Sequence, residues 1–102
     1  MSIEASETQA EHMLLRQERG DGIVHLTLNR PEAFNALSSG LMHLLQDELD
    51  AIAADPVARV VIIEGAGRGF CAGHDLKEIT SLDTVAARRE LMAQCCKLML
   101  TV

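Results

Sequence analysis

The stretch Gly65–Glu78, which reads GAGRGFCAGHDLKE, concentrates residue types that can do chemistry. Its glycines are typical of loops that cradle a phosphate, and Cys71 and His74 are potential metal ligands. The same cysteine could act as a nucleophile if the histidine served as its base. The main-chain N–H groups of such a loop could also hold an anion. Four kinds of site are therefore open, and the remaining sequence has to decide among them.

The glycines do not match either common nucleotide-binding signature. Gly65, Gly67 and Gly69 give G-x-G-x-G, whereas the dinucleotide fingerprint requires G-x-G-x-x-G. A P-loop requires G-K-[ST] after its glycines, and this chain has Gly73 followed by His-Asp. Both phosphate-binding predictions are therefore weak.

A metal site is also poorly supported. Cys71 and His74 supply two ligands, but a structural zinc site needs four, and the other cysteines, Cys95 and Cys96, are consecutive on a predicted helix. We therefore expect no metal. A nucleophilic Cys71 lacks an identifiable residue to orient its base, so we expect a small buried filler there and a partly exposed His74 side chain.

The main chain of the loop is the better candidate. Gly69, Ala72 and Gly73 are small enough to let a ligand approach the backbone, and Asp75–Glu78 is predicted to open a helical turn. N–H donors there could stabilise negative charge growing on a substrate carbonyl oxygen. Loss of one such donor typically raises the barrier by roughly 3 to 4 kcal/mol.

The elements that would position this loop begin with a hairpin. Two apolar-tending runs, 13–19 and 23–29, flank the turn signal Gly20-Asp21-Gly22. Alternation along the second run places Val24, Leu26 and Leu28 on a core face and His25 on the opposite face. Pro31 then ends the strand.

A helix, a strand and a second helix are predicted to follow. Ser38 or Ser39 caps the first helix, which ends at Asp55-Pro56; its apolar stripe is Leu41, Leu44, Leu45, Leu49 and Ile52, and its polar side is Gln46, Asp47, Glu48 and Asp50. The β-branched run 59–64 predicts a strand covered on both faces. Asp83 is expected to cap the second helix, whose stripe is Leu91, Met92, Cys95, Leu98 and Met99. This order is typical of an α/β fold.

Composition limits the class of protein. A chain of 102 residues allows one small domain, and a net charge of −6 excludes a broad nucleic-acid surface. No apolar run is long enough to span a bilayer, so no membrane partner is expected. Residues 1–12 carry three Glu and no Lys or Arg, which predicts a flexible leader and not a secretory signal. With three cysteines that suit a reducing compartment, we expect a cytoplasmic protein.

Three segments in this order resemble the N-terminal part of the crotonase, or enoyl-CoA hydratase/isomerase, superfamily: LNRPEAFNALS at 28–38, RVVIIEGAGRGFCAG at 59–73 and HDLKEI at 74–79. The resemblance runs from about Leu14 to the end. It implies an α/β fold, a crotonase-like spiral of ββα turns that is incomplete here, with 13–102 as its N-terminal part. It also implies an acyl-CoA substrate, no cofactor because coenzyme A is part of that substrate, and homo-oligomers, trimers or hexamers in the full-length family.

The resemblance assigns the site residues. It implies that the main-chain N–H of His74 is one of two oxyanion-hole donors to the thioester oxygen. It implies that the acyl-CoA is lined by Ala33, Phe34, Ala72, His74, Asp75, Leu76 and Lys77. Lys77 either places its charge near a CoA phosphate or faces solvent. The implied mechanism is stabilisation of a thioester enolate, with glutamates moving the proton.

The second donor and the family's catalytic glutamates lie beyond the point that matches Val102. None of the acids present, Glu64 and Glu78 included, matches those glutamates. We therefore expect the isolated chain to be inactive, and a truncated, non-catalytic binding or assembly module is the alternative. The uncapped apolar segment 98–102 is expected either to continue into missing elements or to be buried against another copy.

Overall fold

The computed structural model describes residues 13–102, so the predicted leader at 1–12 lies outside the described residues. The elements in chain order are β1 (Leu14–Arg19), β2 (Ile23–Leu28), α1 (Ser39–Ala53), β3 (Val60–Gly65), α2 (Leu76–Ser81) and α3 (Val85–Thr101). Short 3-10 turns occupy Gly20–Gly22 and Pro31–Ala33. Along residues 13–102, no helix is both long and apolar enough to cross a membrane.

The predicted hairpin is confirmed. β1 and β2 pair antiparallel, with Leu14 opposite Leu28 and Arg19 opposite Ile23. Asp21 and Gly22 in the connecting turn have positive φ values of 71° and 79°, which suits residues tolerant of the left-handed region. The turn chemistry therefore fixes the register that puts alternate β2 side chains in the core.

β3 pairs parallel with β2 and completes a three-stranded sheet of order β1-β2-β3. Leu28 is opposite Gly65 at the end of this pairing. The chain therefore leaves both strands at the same edge of the sheet. This register brings the turn after β2 and the glycine-rich loop after β3 together, although they are far apart in sequence.

α1 forms as predicted, with one correction. The Ser38 hydroxyl caps it by accepting from the Leu41 N–H at 3.2 Å. Gln46, predicted on the wet side, is instead buried, because α3 packs against that side of α1. Its amide nitrogen donates to Asp50 Oδ1 at 3.0 Å and to Thr101 Oγ1 at 2.9 Å, so burial leaves that nitrogen bonded.

The apolar stripe of α3 is narrower than predicted. Leu91 and Leu98 are buried, and Cys95 between them packs against the core, but Met92 and Met99 are exposed. The two buried positions, Leu91 and Leu98, are seven residues apart and lie on the same side of α3, so both methionines lie outside the contact with α1. The prediction was therefore wrong for the two methionines.

β3 is not covered on both faces, contrary to the prediction. Val61 and Ile63 pack against the core, whereas Val60 and Ile62 are 51% and 39% exposed. Within residues 13–102, β3 is an edge strand, and the helices of this part of the chain cover only one face of the sheet. On the open face, His25 Nδ1 lies 2.9 Å from Glu64 Oε2, so His25 lies on the face opposite the core as predicted.

The cap of α3 is Thr84 and not Asp83. The Thr84 hydroxyl accepts from the Ala87 N–H at 3.0 Å, because the helix begins at Val85, one residue later than the sequence suggested.

We expect Thr84→Ala to lower the free energy of unfolding by about 1 kcal/mol, since the first turn of α3 loses the acceptor for one of its N–H groups. Asp83→Ala is the matched control and should change the free energy of unfolding by only about a few tenths of a kcal/mol. Urea denaturation followed by circular dichroism measures both. Equal losses in the two variants would contradict the assignment of the cap.

Candidate functional site

The centre of the site region is a buried amide. Asn35 is completely buried, and its Oδ1 accepts from the main-chain N–H of Arg30 at 2.7 Å. Its Nδ2 lies 2.9 Å from the carbonyl oxygen of Ala66 and 3.0 Å from those of Gly69 and Phe70. One side chain therefore contacts three carbonyl oxygens in the first half of the glycine-rich loop and joins that loop to the turn after β2.

The backbone around Asn35 has an unusual conformation. Phe34 and Asn35 have φ values of 53° and 56°, a left-handed conformation that costs energy for residues other than glycine. Hydrogen bonds hold it: the Asn35 N–H donates to the Arg30 carbonyl at 2.8 Å, and the Ala72 N–H donates to the Phe34 carbonyl at 3.0 Å. A Cβ on Gly65 would clash with the Phe70 carbonyl oxygen and would lie 2.8 Å from both Asn35 Nδ2 and the Gly69 carbonyl oxygen, so only glycine fits there.

The peptide between Gly73 and His74 has a fixed orientation. The Leu37 N–H donates to the Gly73 carbonyl at 2.7 Å, and the Asp75 N–H donates to the Leu37 carbonyl at 2.9 Å. In a trans peptide the C=O and N–H point in opposite directions, so the His74 N–H points away from Leu37. Gly73 has φ 100°, which favours glycine. No acceptor for the His74 N–H is found among residues 13–102.

Asp75 has a structural role in this region. Its carboxylate caps α2 by accepting from the Glu78 N–H at 3.2 Å, and its other oxygen accepts from Arg30 Nη2 at 3.2 Å. Arg30 Nη1 also donates to the Ala36 carbonyl at 2.7 Å. Burial alone would raise the pKa of Asp75, but the hydrogen bonds from the Glu78 N–H and from Arg30 lower the pKa below its usual range.

An open cavity of about 510 Å³ lies between the segment 30–36, which follows β2, and the segment 72–77, which follows β3. Its lining includes six of the seven predicted substrate-binding residues: Ala33, Ala72, His74, Asp75, Leu76 and Lys77. Phe34 does not line the cavity and is 56% exposed. Three lining residues were missed from sequence, Arg30, Glu32 and Ala36, although all three lie within the motif LNRPEAFNALS. The structure therefore brings the predicted set together apart from Phe34, and the contacts with substrate stay predictions.

The remaining polar side chains near the loop are used in packing. Cys71 is half-buried, and its sulfur lies 3.5 Å from the Gly73 nitrogen, in keeping with the predicted small filler. Glu78 accepts from the N–H and the hydroxyl of Ser39, both at 2.7 Å, which ties α2 to the start of α1. In the described part of the chain, no three His, Cys, Asp or Glu residues group as metal ligands.

The fold and this loop define a class of protein. The sequence model of the enoyl-CoA hydratase/isomerase family matches residues 23–100, well over half of the chain. The chain therefore belongs to the enoyl-CoA hydratase/isomerase, or crotonase, family, and it has the α/β crotonase-type fold over the matched part.

Individual relatives agree with this assignment. The chain is 40% identical over 85 residues to 2,3-dehydroadipyl-CoA hydratase of Escherichia coli, covering 83% of this chain and 32% of that enzyme. It is 42% identical over 57 residues to the 1,2-epoxyphenylacetyl-CoA isomerase of the same species, covering 56% and 22%. The crystal structure of an enoyl-CoA hydratase from Mycobacterium smegmatis superposes with a TM-score of 0.86 at 40% identity, covering 88% and 35%. The chain thus spans about a third or less of the length of these relatives.

We expect Asn35→Asp to lower the free energy of unfolding by roughly 3 kcal/mol or more. The substitution keeps the acceptor for the Arg30 N–H but removes the donors to the three loop carbonyls and buries a carboxylate against them. Amide hydrogen exchange should also accelerate across 65–73. Gln17→Glu makes the same chemical change at an exposed position and should leave both measurements near wild type. A stable Asn35→Asp protein with an unchanged loop would contradict the role of this amide.

Proposed function

We propose that the chain binds acyl-CoA thioesters and that the His74 main-chain N–H donates to the thioester oxygen as one half of an oxyanion hole. The observation that supports this most directly is the orientation of the peptide 73–74. Its carbonyl is held by Leu37, and its N–H points away from Leu37 without an acceptor among the described residues. His74 also lines the cavity that the family motifs enclose.

Such a donor assists enolate chemistry by stabilising charge as it develops. When a proton leaves or joins the carbon next to a thioester, negative charge grows on the carbonyl oxygen, and a preoriented N–H stabilises it without reorganising. Ala33 and Ala72 leave room for a ligand beside the peptide. Lys77 is exposed at the cavity and has no ion-pair partner in residues 13–102, so it is the residue we propose for a CoA phosphate.

The carboxylates near the loop do not supply the proton transfer in this proposal. Asp75 is bonded to Arg30 and caps α2, Glu78 is bonded to Ser39, and Glu64 lies against His25. Glu32 lines the cavity but is exposed to water. We therefore propose that these 102 residues bind the thioester without turning it over, and that no cofactor is needed beyond the coenzyme A of the substrate.

The choice between hydratase and isomerase activity depends on the residues that act as general acid and base. No residue of this chain matches the family's catalytic glutamates. Its relatives include both a hydratase and an isomerase at similar identity. The oxyanion donor serves either reaction, because both pass through negative charge on the thioester oxygen. The proposal for this chain is accordingly the shared step of enolate stabilisation.

We expect the chain to bind crotonyl-CoA more tightly than S-butyl-CoA, a thioether without the carbonyl, because only the thioester accepts from the His74 N–H. One neutral hydrogen bond corresponds to roughly a two- to tenfold preference. Titrations followed by ¹H–¹⁵N NMR measure both affinities, and the absorbance of the conjugated thioester should stay constant. Equal affinities would contradict the oxyanion proposal, and a falling absorbance would contradict the proposed inactivity.

A specific observation also favours the second function, an assembly module. Val60 and Ile62 on the open face of β3 are exposed, as is Leu100 in α3. Apolar groups of this kind are usually covered in an assembled protein. We propose a homo-oligomer, as in the trimers or hexamers that the resemblance implies.

Sedimentation equilibrium at micromolar concentration should therefore give a mass above that of the 11.1 kDa monomer. Ile62→Lys, which charges the open face, should shift the mass towards the monomer. Asp83→Lys reverses a charge at an exposed position before α3 and should leave the mass unchanged. A monomeric wild-type chain would contradict the assembly proposal without affecting acyl-CoA binding.

A further inference from the structure

Within residues 13–102, the imidazole of His74 makes a single polar contact. Its Nε2 lies 3.5 Å from the sulfur of Cys95 on α3, within the range of hydrogen bonds that involve sulfur. Its Nδ1 is buried and has no partner in this part of the chain. Without Cys95, both ring nitrogens would lack a partner in the described structure, and a half-buried ring in that condition gains by turning towards water.

The thiol that makes this contact lies on a well-anchored helix. Cys95 is one turn away from Leu91 and from Leu98, both of which are buried in the core. The neighbouring Gln94 donates to the Ser39 carbonyl at 2.9 Å. α3 is therefore fixed on both sides of Cys95, and the sulfur has a defined position relative to the loop.

Within the described residues, main-chain hydrogen bonds hold the peptide that precedes the ring from the Leu37 side only. Gly73 has no side chain and adopts φ 100°, the Leu37 N–H donates to its carbonyl, and the Asp75 N–H donates to the Leu37 carbonyl. Rotation of this peptide would redirect the His74 N–H. A ring anchored on α3 opposes that rotation, because the imidazole and the N–H belong to the same residue.

We infer that Cys95 is a positioning residue: through its contact with the His74 imidazole, it holds the peptide 73–74 in the orientation that receives a thioester oxygen. The inference rests on the proposed function and deepens it, since it gives a thiol on α3 control over the oxyanion donor. Cys96 is adjacent in sequence but exposed, which makes it a matched control.

The test measures the preference for crotonyl-CoA over S-butyl-CoA in the full 102-residue chain. Cys95→Ala should abolish a wild-type preference of roughly two- to tenfold while affinity for the thioether stays constant. Cys95→Ser, which keeps a hydrogen-bonding group, should restore part of the preference, and Cys96→Ala should match wild type. The His74 amide resonance should shift in Cys95→Ala and not in Cys96→Ala.

A second route removes the contact from its other end. His74→Phe keeps the main-chain N–H and a ring of similar size but has no ring nitrogen, so it should lose the same preference. Combining it with Cys95→Ala should cause no further loss, because both changes remove one interaction. This route also provides a test in the event that Cys95→Ala does not fold.

The outcomes separate the inference from the proposed function. If wild type shows no preference for the thioester, the oxyanion proposal fails, and the inference fails with it. If wild type shows the preference and both Cys95→Ala and His74→Phe retain it, only the inference is overturned. An equal loss of affinity for both ligands would mean a purely structural role for Cys95 and would also overturn the inference.

Discussion

The structure of the site depends on the buried carboxamide of Asn35. Its nitrogen meets three carbonyl oxygens of the loop after β3, and its oxygen accepts from the turn after β2. Buried carbonyl groups without a donor are costly, so these contacts stabilise the observed path of the loop. The same close packing requires a glycine at position 65, since a Cβ there would meet the Phe70 carbonyl oxygen and the Asn35 amide nitrogen.

Further hydrogen bonds join the turn after β2 to the loop after β3, between Asn35 and the cavity. The Phe34 carbonyl accepts from Ala72, and Leu37 bonds on both sides of His74. Arg30 completes this junction by donating to Asp75, which caps α2. Together these bonds set the direction of the His74 N–H. In the proposed site the donor is a main-chain group, so the side chains around it serve mainly to hold the backbone.

This arrangement explains why reactive residue types in the loop have modest roles. Cys71 packs beside Gly73, Glu78 secures the start of α1, and Asp75 balances the charge of Arg30. Each of these polar groups is used to hold the main chain. In the proposed oxyanion site, rigidity of the donor would assist catalysis, because a preoriented N–H does not have to reorganise.

The sequence by itself determined the local structure. The alternation in β2, the Gly-Asp-Gly turn, the Ser38 cap and the motif from Gly65 to Glu78 depend on neighbouring residues, so they could be predicted along with the family and most of the cavity lining. Only the tertiary structure decided what depends on distant partners. Gln46 is buried because α3 packs against α1, Thr84 and not Asp83 caps α3, and one face of β3 stays open because the described helices cover only the other face. The contact of His74 with Cys95 belongs to this second group. The residues are 21 apart in sequence, and only the packing of α3 against α1 brings the thiol to the ring.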